Sequence, residues 1–187
     1  MIRSLLFIYF LSFLFSAETI SDKYLNSIDV DNHLGNTLSG SIDIIDQDNN
    51  TVELSTFFSN KKPTILVMAY YQCPMLCSMV LNGLSEAIDQ SNLIPGEDFQ
   101  VLTISIDPSE TSNLSKEKKN NYLQNYFSDV ESDFWTFSTT SSENIDIITD
   151  ELGFRYSYDE NTKQFAHPAV IYILTSDGTI SRQLFGV

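Results

Sequence analysis

The sequence predicts an α/β domain built on a partly parallel sheet, and three observations carry that prediction. Two apolar runs, Ile65 to Tyr71 and Phe99 to Asp107, have the length and composition of strands covered on both faces. Segments with helical apolar spacing follow each of them. Turn-rich hairpins, Ser41 to Leu54 and Ala169 to Phe185, flank this alternation at its two ends. Alternating strands and helices imply right-handed parallel crossovers, and the hairpins add antiparallel pairing.

The 187 residues suffice for one domain with a proper core, preceded by a leader. Residues 1–17 hold one early Arg3, an apolar stretch from Leu5 to Phe15, and the small-residue exit Ser16-Ala17. That is the layout of a secretory signal. The stretch is shorter than the roughly 20 residues of a transmembrane helix. Phe15 stands where a small residue is preferred before cleavage, so a retained short membrane anchor is the second reading. Either way the chain is expected to be exported. No cysteine lies near this segment, which excludes a lipid-modified N-terminus. Residues 18–36 are polar and aperiodic and read as a linker, leaving 37–187 as the domain. His33 falls in the linker, and a lone loop histidine is expected to be solvated rather than a ligand.

In the first hairpin, Ser41 to Asp46 and Thr51 to Leu54 flank the turn cluster Gln47-Asp-Asn-Asn50. Ser55 to Lys62 makes a brief connection to the Ile65 strand. Pro74 suits a first helical position, and Leu76, Met79, Val80 and Leu84 recur at helical spacing up to about Asp89. The Phe99 strand stops at Pro108. Ser115 to Phe127 reads as a helix whose Lys116-Glu-Lys-Lys119 run lies on a solvated face. Phe134 to Phe137 is a short strand. Ser142 to Leu152 is a helix capped by Ser141 or Ser142 and stopped by Gly153. Phe154 to Tyr158 is a short extended piece before a loop, Asp159 to Gln164. In the closing hairpin the Asp177-Gly178 pair is a strong turn signal. The sequence ends at Gly186-Val187 directly after a strand, without a closing helix, so either the chain is expected to be incomplete or one sheet face is left for something else to cover.

Formal net charge is −15, with a sequence pI of about 4.2. Such a chain repels phosphate backbones, which excludes nucleic acid as a partner.

The only two cysteines, Cys73 and Cys77, sit where the first buried strand meets its helix. That arrangement points to a thioredoxin-like fold with its site outside the strand's carboxyl end. A helix N-terminus favours negative charge and is expected to lower the thiol pKa values. Three readings compete for the pair. A structural disulfide across three residues closes almost no loop and stabilises little. A redox dithiol is permitted if the first turn is distorted, because regular i, i+4 positions hold Cβ atoms about 5–6 Å apart. A metal site needs a further ligand from elsewhere. His167, in Phe165-Ala-His-Pro168, precedes the strand expected beside the cysteine helix and can supply it. Two thiolates and one imidazole form a soft set suited to Cu(I), whereas zinc would want a fourth ligand. Met75 is weighed as an extra soft ligand and assigned to packing, as are Met68, Tyr70, Tyr71 and Trp135.

Ala69-Tyr-Tyr-Gln-Cys-Pro-Met-Leu-Cys-Ser-Met-Val-Leu-Asn-Gly-Leu84, Thr103-Ile-Ser-Ile-Asp-Pro108 and Phe165-Ala-His-Pro-Ala-Val-Ile-Tyr-Ile-Leu-Thr-Ser-Asp-Gly178 resemble the SCO/SenC family of copper-handling proteins. Three separated motifs in the right order, over about Leu34 to Val187, make the resemblance specific. It implies a thioredoxin-like fold on the periplasmic side, free or attached to the inner membrane. It implies copper, as Cu(I) with Cu(II) also considered, held by Cys73, Cys77 and His167. It implies delivery of copper to the copper-site subunit of cytochrome c oxidase, making the dinuclear centre during assembly. The alternative is a thiol-disulfide oxidoreductase that uses Cys73 and Cys77 on an exported partner. A carrier rather than a turnover enzyme is the leading expectation. There are departures: Pro168 stands where many members have Ser, and Ser78 where many have Pro. Pro168 also matches in place the cis-proline that faces the thiols in thioredoxins. Members continue past Gly186 into a final helix, so this sequence is expected to be truncated. Asp107 is weighed equally as a residue near the site and as a turn cap.

Overall fold

The computed structural model describes residues 27–59, 61–73 and 76–186. The expected leader, Pro74 as the first helical residue and Met75 as an extra ligand lie outside the described residues. In chain order the strands are β1 (Asp29–Val30), β2 (Asp43–Asp46), β3 (Thr51–Glu53), β4 (Thr64–Ala69), β5 (Gln100–Ser105) and β6 (Trp135–Thr139). They continue with β7 (Phe154–Arg155), β8 (Ser157–Asp159), β9 (Gln164–Ala166), β10 (Val170–Leu174) and β11 (Ile180–Phe185). The helices are α1 (Leu76–Asp89) after β4, α2 (Ser112–Tyr126) after β5 and α3 (Ser142–Leu152) after β6.

Seven strands form one sheet in the order β11-β10-β4-β5-β6-β2-β3. β4, β5 and β6 are parallel, as their helical crossovers require. β10 and β11 add antiparallel at one edge, and β2 and β3 at the other. This is the expected thioredoxin-like arrangement with its N-terminal hairpin. The central strands are apolar and buried because helices pack on the sheet. Tyr122 of α2 meets Trp135 and Phe137 of β6 at ring separations of 5.5 and 6.1 Å, and both β6 rings are fully buried. Between α1 and β10–β11 lies an apolar groove of about 400 Å³, lined by Ile65, Leu84, Ile88, Ile171, Ile173 and Leu184. No helix among the described residues is long and apolar enough to cross a membrane.

Three segments differ from the sequence expectation. The end of the linker is structured: β1 pairs with β7, and Asp31 N–H donates to the Gly153 carbonyl at 2.8 Å. Arg155 reaches Asp29 at 2.9 Å and Asp31 at 3.3 Å. Polar groups hold this segment, so no apolar periodicity marks it. The expected loop after Tyr158 is the turn of a second small hairpin, β8 paired with β9. Asp159 carboxylate oxygens accept from Asn161 N–H and the Thr162 hydroxyl there, and the Tyr158 and Phe165 rings lie 4.9 Å apart. Finally, α2 begins at Ser112 under a Thr111 cap, and its lysine run is not uniformly solvated. Lys116 pairs with Asp48 at the surface, whereas Lys119 is buried and Lys118 half-buried. The helix lies against β6 and the cysteine segment, which covers that side of the run.

Candidate metal centre

The three candidate ligands meet because of strand direction. β4 ends at Ala69, the chain continues through Tyr70 to Cys73, and α1 places Cys77 in its first turn. β10 runs antiparallel to β4, with Tyr172 opposite Leu66. Continuing that register towards the start of β10 sets residue 168 opposite residue 70. His167 therefore arrives at the carboxyl end of β4, although 90 residues separate it from Cys77.

The sulfurs of Cys73 and Cys77 and a ring nitrogen of His167 all lie within 4.8 Å of one another. Among the described residues this is the one such group of three or more candidate ligands. Relative exposures are 8%, 0% and 4%, so water is largely excluded. Both cysteines are present as thiols. His167 Nδ1 lies 3.0 Å from the Pro168 carbonyl oxygen, which only accepts, so Nδ1 carries the proton. Nε2 then presents its lone pair and accepts the Cys77 S–H at 2.8 Å. Orientation of an imidazole by a backbone carbonyl is the usual support of a metal-ligating histidine. Backbone N–H groups also face the sulfurs: Cys77 N–H donates to Cys73 Sγ at 3.3 Å, and Tyr70 N–H to Cys77 Sγ at 3.4 Å.

The expectation of lowered thiol pKa values fails at Cys77. Its hydrogen bond with Cys73, followed by burial, holds that thiol well above the usual range, and the Tyr70 N–H and the Lys118 charge only partly oppose this. Buried beside a second sulfur, the Cys77 thiol keeps its proton until a cation replaces it. The cis-proline parallel fails too, because the described residues contain no cis peptide bond and Pro168 follows a trans one.

Tyr70 does more than pack. Its ring stands edge-on to His167 at 6.0 Å and to Phe165 at 5.4 Å, and Phe154 lies 6.1 Å from the imidazole. Burial first, then its hydrogen bond with Cys73, raises the phenol above its ordinary range. Tyr71 is a packing residue whose hydroxyl donates to the Ser138 carbonyl at 2.6 Å. Asp107 proves to be a turn cap, accepting from Ser109 N–H at 2.8 Å. Glu110, which the sequence reading passed over, is the carboxylate that supports the site. It is buried and accepts from Tyr71 N–H at 2.8 Å, Gln72 N–H at 2.8 Å and the Ser105 hydroxyl at 2.6 Å. Burial raises its pKa. Its spacing from Pro108 is the sole sequence signal, and one acid among 25 does not stand out. His33 lies elsewhere and is half-buried rather than solvated, donating from Nδ1 to the Glu151 carbonyl at 3.0 Å.

Comparison with known proteins places this geometry in context. The SCO1/SenC family description matches residues 30–185. No curated protein matches the sequence significantly. A solved protein from Aquifex aeolicus VF5 is 27% identical with a TM-score of 0.71, over 82% of this chain and 85% of the other. Arabidopsis thaliana ScoI, solved with copper bound, is 22% identical with a TM-score of 0.63, over 79% and 87%. BsSco, described with a disulfide switch and as one of the Sco family of cytochrome c oxidase assembly proteins, is 17% identical with a TM-score of 0.58, over 83% and 85%. At their low identities the last two establish the shared fold.

Proposed function

We propose, from the premise that this chain belongs to the SCO1/SenC family, that it is an exported copper chaperone. Cys73, Cys77 and His167 are the ligands, Cu(I) is the cargo, and the receiving partner is the copper-site subunit of cytochrome c oxidase during assembly. The observation that carries the reading is the buried convergence of two thiols and an imidazole lone pair within 4.8 Å. Soft donors in a three-coordinate set match Cu(I), and burial protects it from oxidation and from competing water. The copper bound to Arabidopsis ScoI and the assembly role stated for BsSco support the same reading. Export rests on the character of residues 1–17, with a periplasmic or membrane-attached location.

Each thiol that becomes a thiolate releases a proton on loading, so affinity falls in acid, by up to about a hundredfold per pH unit when two protons leave. Release to a partner then proceeds by ligand exchange with the partner's cysteines. Anaerobic titration of the reduced protein should saturate at one Cu(I) per chain. Affinity should drop at least about tenfold in His167→Ala, in line with loss of one of three ligands. Unaltered affinity in that variant would sink the assignment.

A second reading has an observation of its own: the adjacent thiols and the disulfide switch stated for BsSco. Here Cys73 and Cys77 give two electrons and two protons to a partner's disulfide, which becomes a dithiol, and end as a disulfide themselves. Turnover by metal-free protein that survives His167→Ala would favour this reading over copper carriage.

A further inference from the structure

The copper reading leaves a charge to be balanced. Two thiolates and Cu(I) sum to −1, and a neutral imidazole adds nothing. All three ligands are more than nine-tenths buried, where an uncompensated charge is costly. α2 contributes no ligand, yet its Lys118 reaches the cysteine segment. The Lys118 ammonium donates to the Tyr71 carbonyl at 3.4 Å and to the Ser78 hydroxyl at 3.4 Å. Tyr71 lies two residues before Cys73, and Ser78 directly follows Cys77, so one cation touches both ends of the segment. Its Nζ also stands 5.9 Å from the centre of the Tyr122 ring, whose negative face favours a cation there.

Four other basic side chains are engaged elsewhere: Lys116 with Asp48, Arg155 with Asp29 and Asp31, Lys163 with Glu160, and Lys62 with the Gly96 carbonyl, while the buried Lys119 lies in the field of Asp133, Asp48 and Asp46. Glu110 grips the same turn through Tyr71 and Gln72 N–H groups, and any charge it carries is negative. In a chain of net charge −15, a half-buried cation at this point is not expected from general composition.

We propose that Lys118 is a positioning residue whose ammonium holds both ends of the cysteine segment and supplies the countercharge of the copper-loaded dithiolate. The proposal rests on the copper reading. Its test is anaerobic competition of the full chain against a chromophoric Cu(I) chelator at one fixed pH, with melting of the metal-free proteins recorded alongside. Lys118→Met should bind Cu(I) about tenfold more weakly, as expected for loss of one nearby charge, while Lys118→Arg stays close to wild type. Should the methionine variant not fold, Lys118→Gln removes the charge while keeping donors and reads the same. Equal affinity of the neutral variant and wild type overturns the proposal while leaving the copper reading intact. Arginine weakening as much as methionine overturns it as well, since shape rather than charge would then matter. Absence of Cu(I) uptake by the wild type brings down both.

Discussion

Cys77 and His167 share a hydrogen bond that a metal would replace, and the residues around it decide how readily. Glu110 shows the difference between a motif and its support. The cysteines and His167 stand out in the sequence because their residue types are rare there, with two cysteines and two histidines in the chain. Glu110 is chemically ordinary until burial and three donors distinguish it. Glu110→Ala leaves two peptide N–H groups without their acceptor, and stability should fall by roughly 2–4 kcal/mol. Urea unfolding reads this directly, and an unchanged midpoint would deny the carboxylate its structural role. The pH dependence has a definite sign. Burial raises the folded-state pKa, so the folded protein holds this proton more tightly than the unfolded chain. The Glu110 contribution is therefore full at low pH and declines as pH rises through 4.5 towards the raised value.

At the scale of elements, local signals worked where one segment contains its own instructions. Ser141 caps α3 by accepting from Asn144 N–H at 3.2 Å, and Gly153 ends that helix at φ 67°. Both were legible, because caps and left-handed stops are sequence-local. The same glycine also seats β1, since a Cβ there would meet the Asp31 carbonyl oxygen at 2.6 Å. Gly153→Ala should therefore cost roughly 1–3 kcal/mol through backbone strain. It should also loosen β1 from β7, seen as faster proteolysis within residues 27–31 together with a lower melting temperature. A variant that melts and resists cleavage like the wild type would contradict this packing. Phe154 to Tyr158 was legible as extended, but the pairings β1–β7 and β8–β9 were not, because two- and three-residue strands are too short to show alternation.

Across the whole molecule, the antiparallel entry of β10 brings a distant histidine to the cysteines, while the acidic surface works against compactness. With a formal charge of −15, self-repulsion should be strongest at low ionic strength. Raising salt from about 0.01 to 0.15 M shortens the screening length from about 30 to about 8 Å. The melting temperature should rise by roughly 2–4 °C, the shift expected for about 1 kcal/mol. A flat or falling melting temperature across that range would show that local ion pairs outweigh the net repulsion.

The amino-acid sequence alone determined the α/β order, the buried strands, the caps of α3, the closing hairpin and the three residues most suited to a soft metal. Each depends on residue type and spacing within a short window, or on side chains too rare to overlook. Only the tertiary structure decided which groups touch. It set the register that lays His167 against Cys77, raised the Cys77 thiol against the helix-end expectation, and placed Glu110 and Lys118 on the cysteine segment. Desolvation and contact are properties of neighbours distant in the chain, so they come into being only when the sheet assembles.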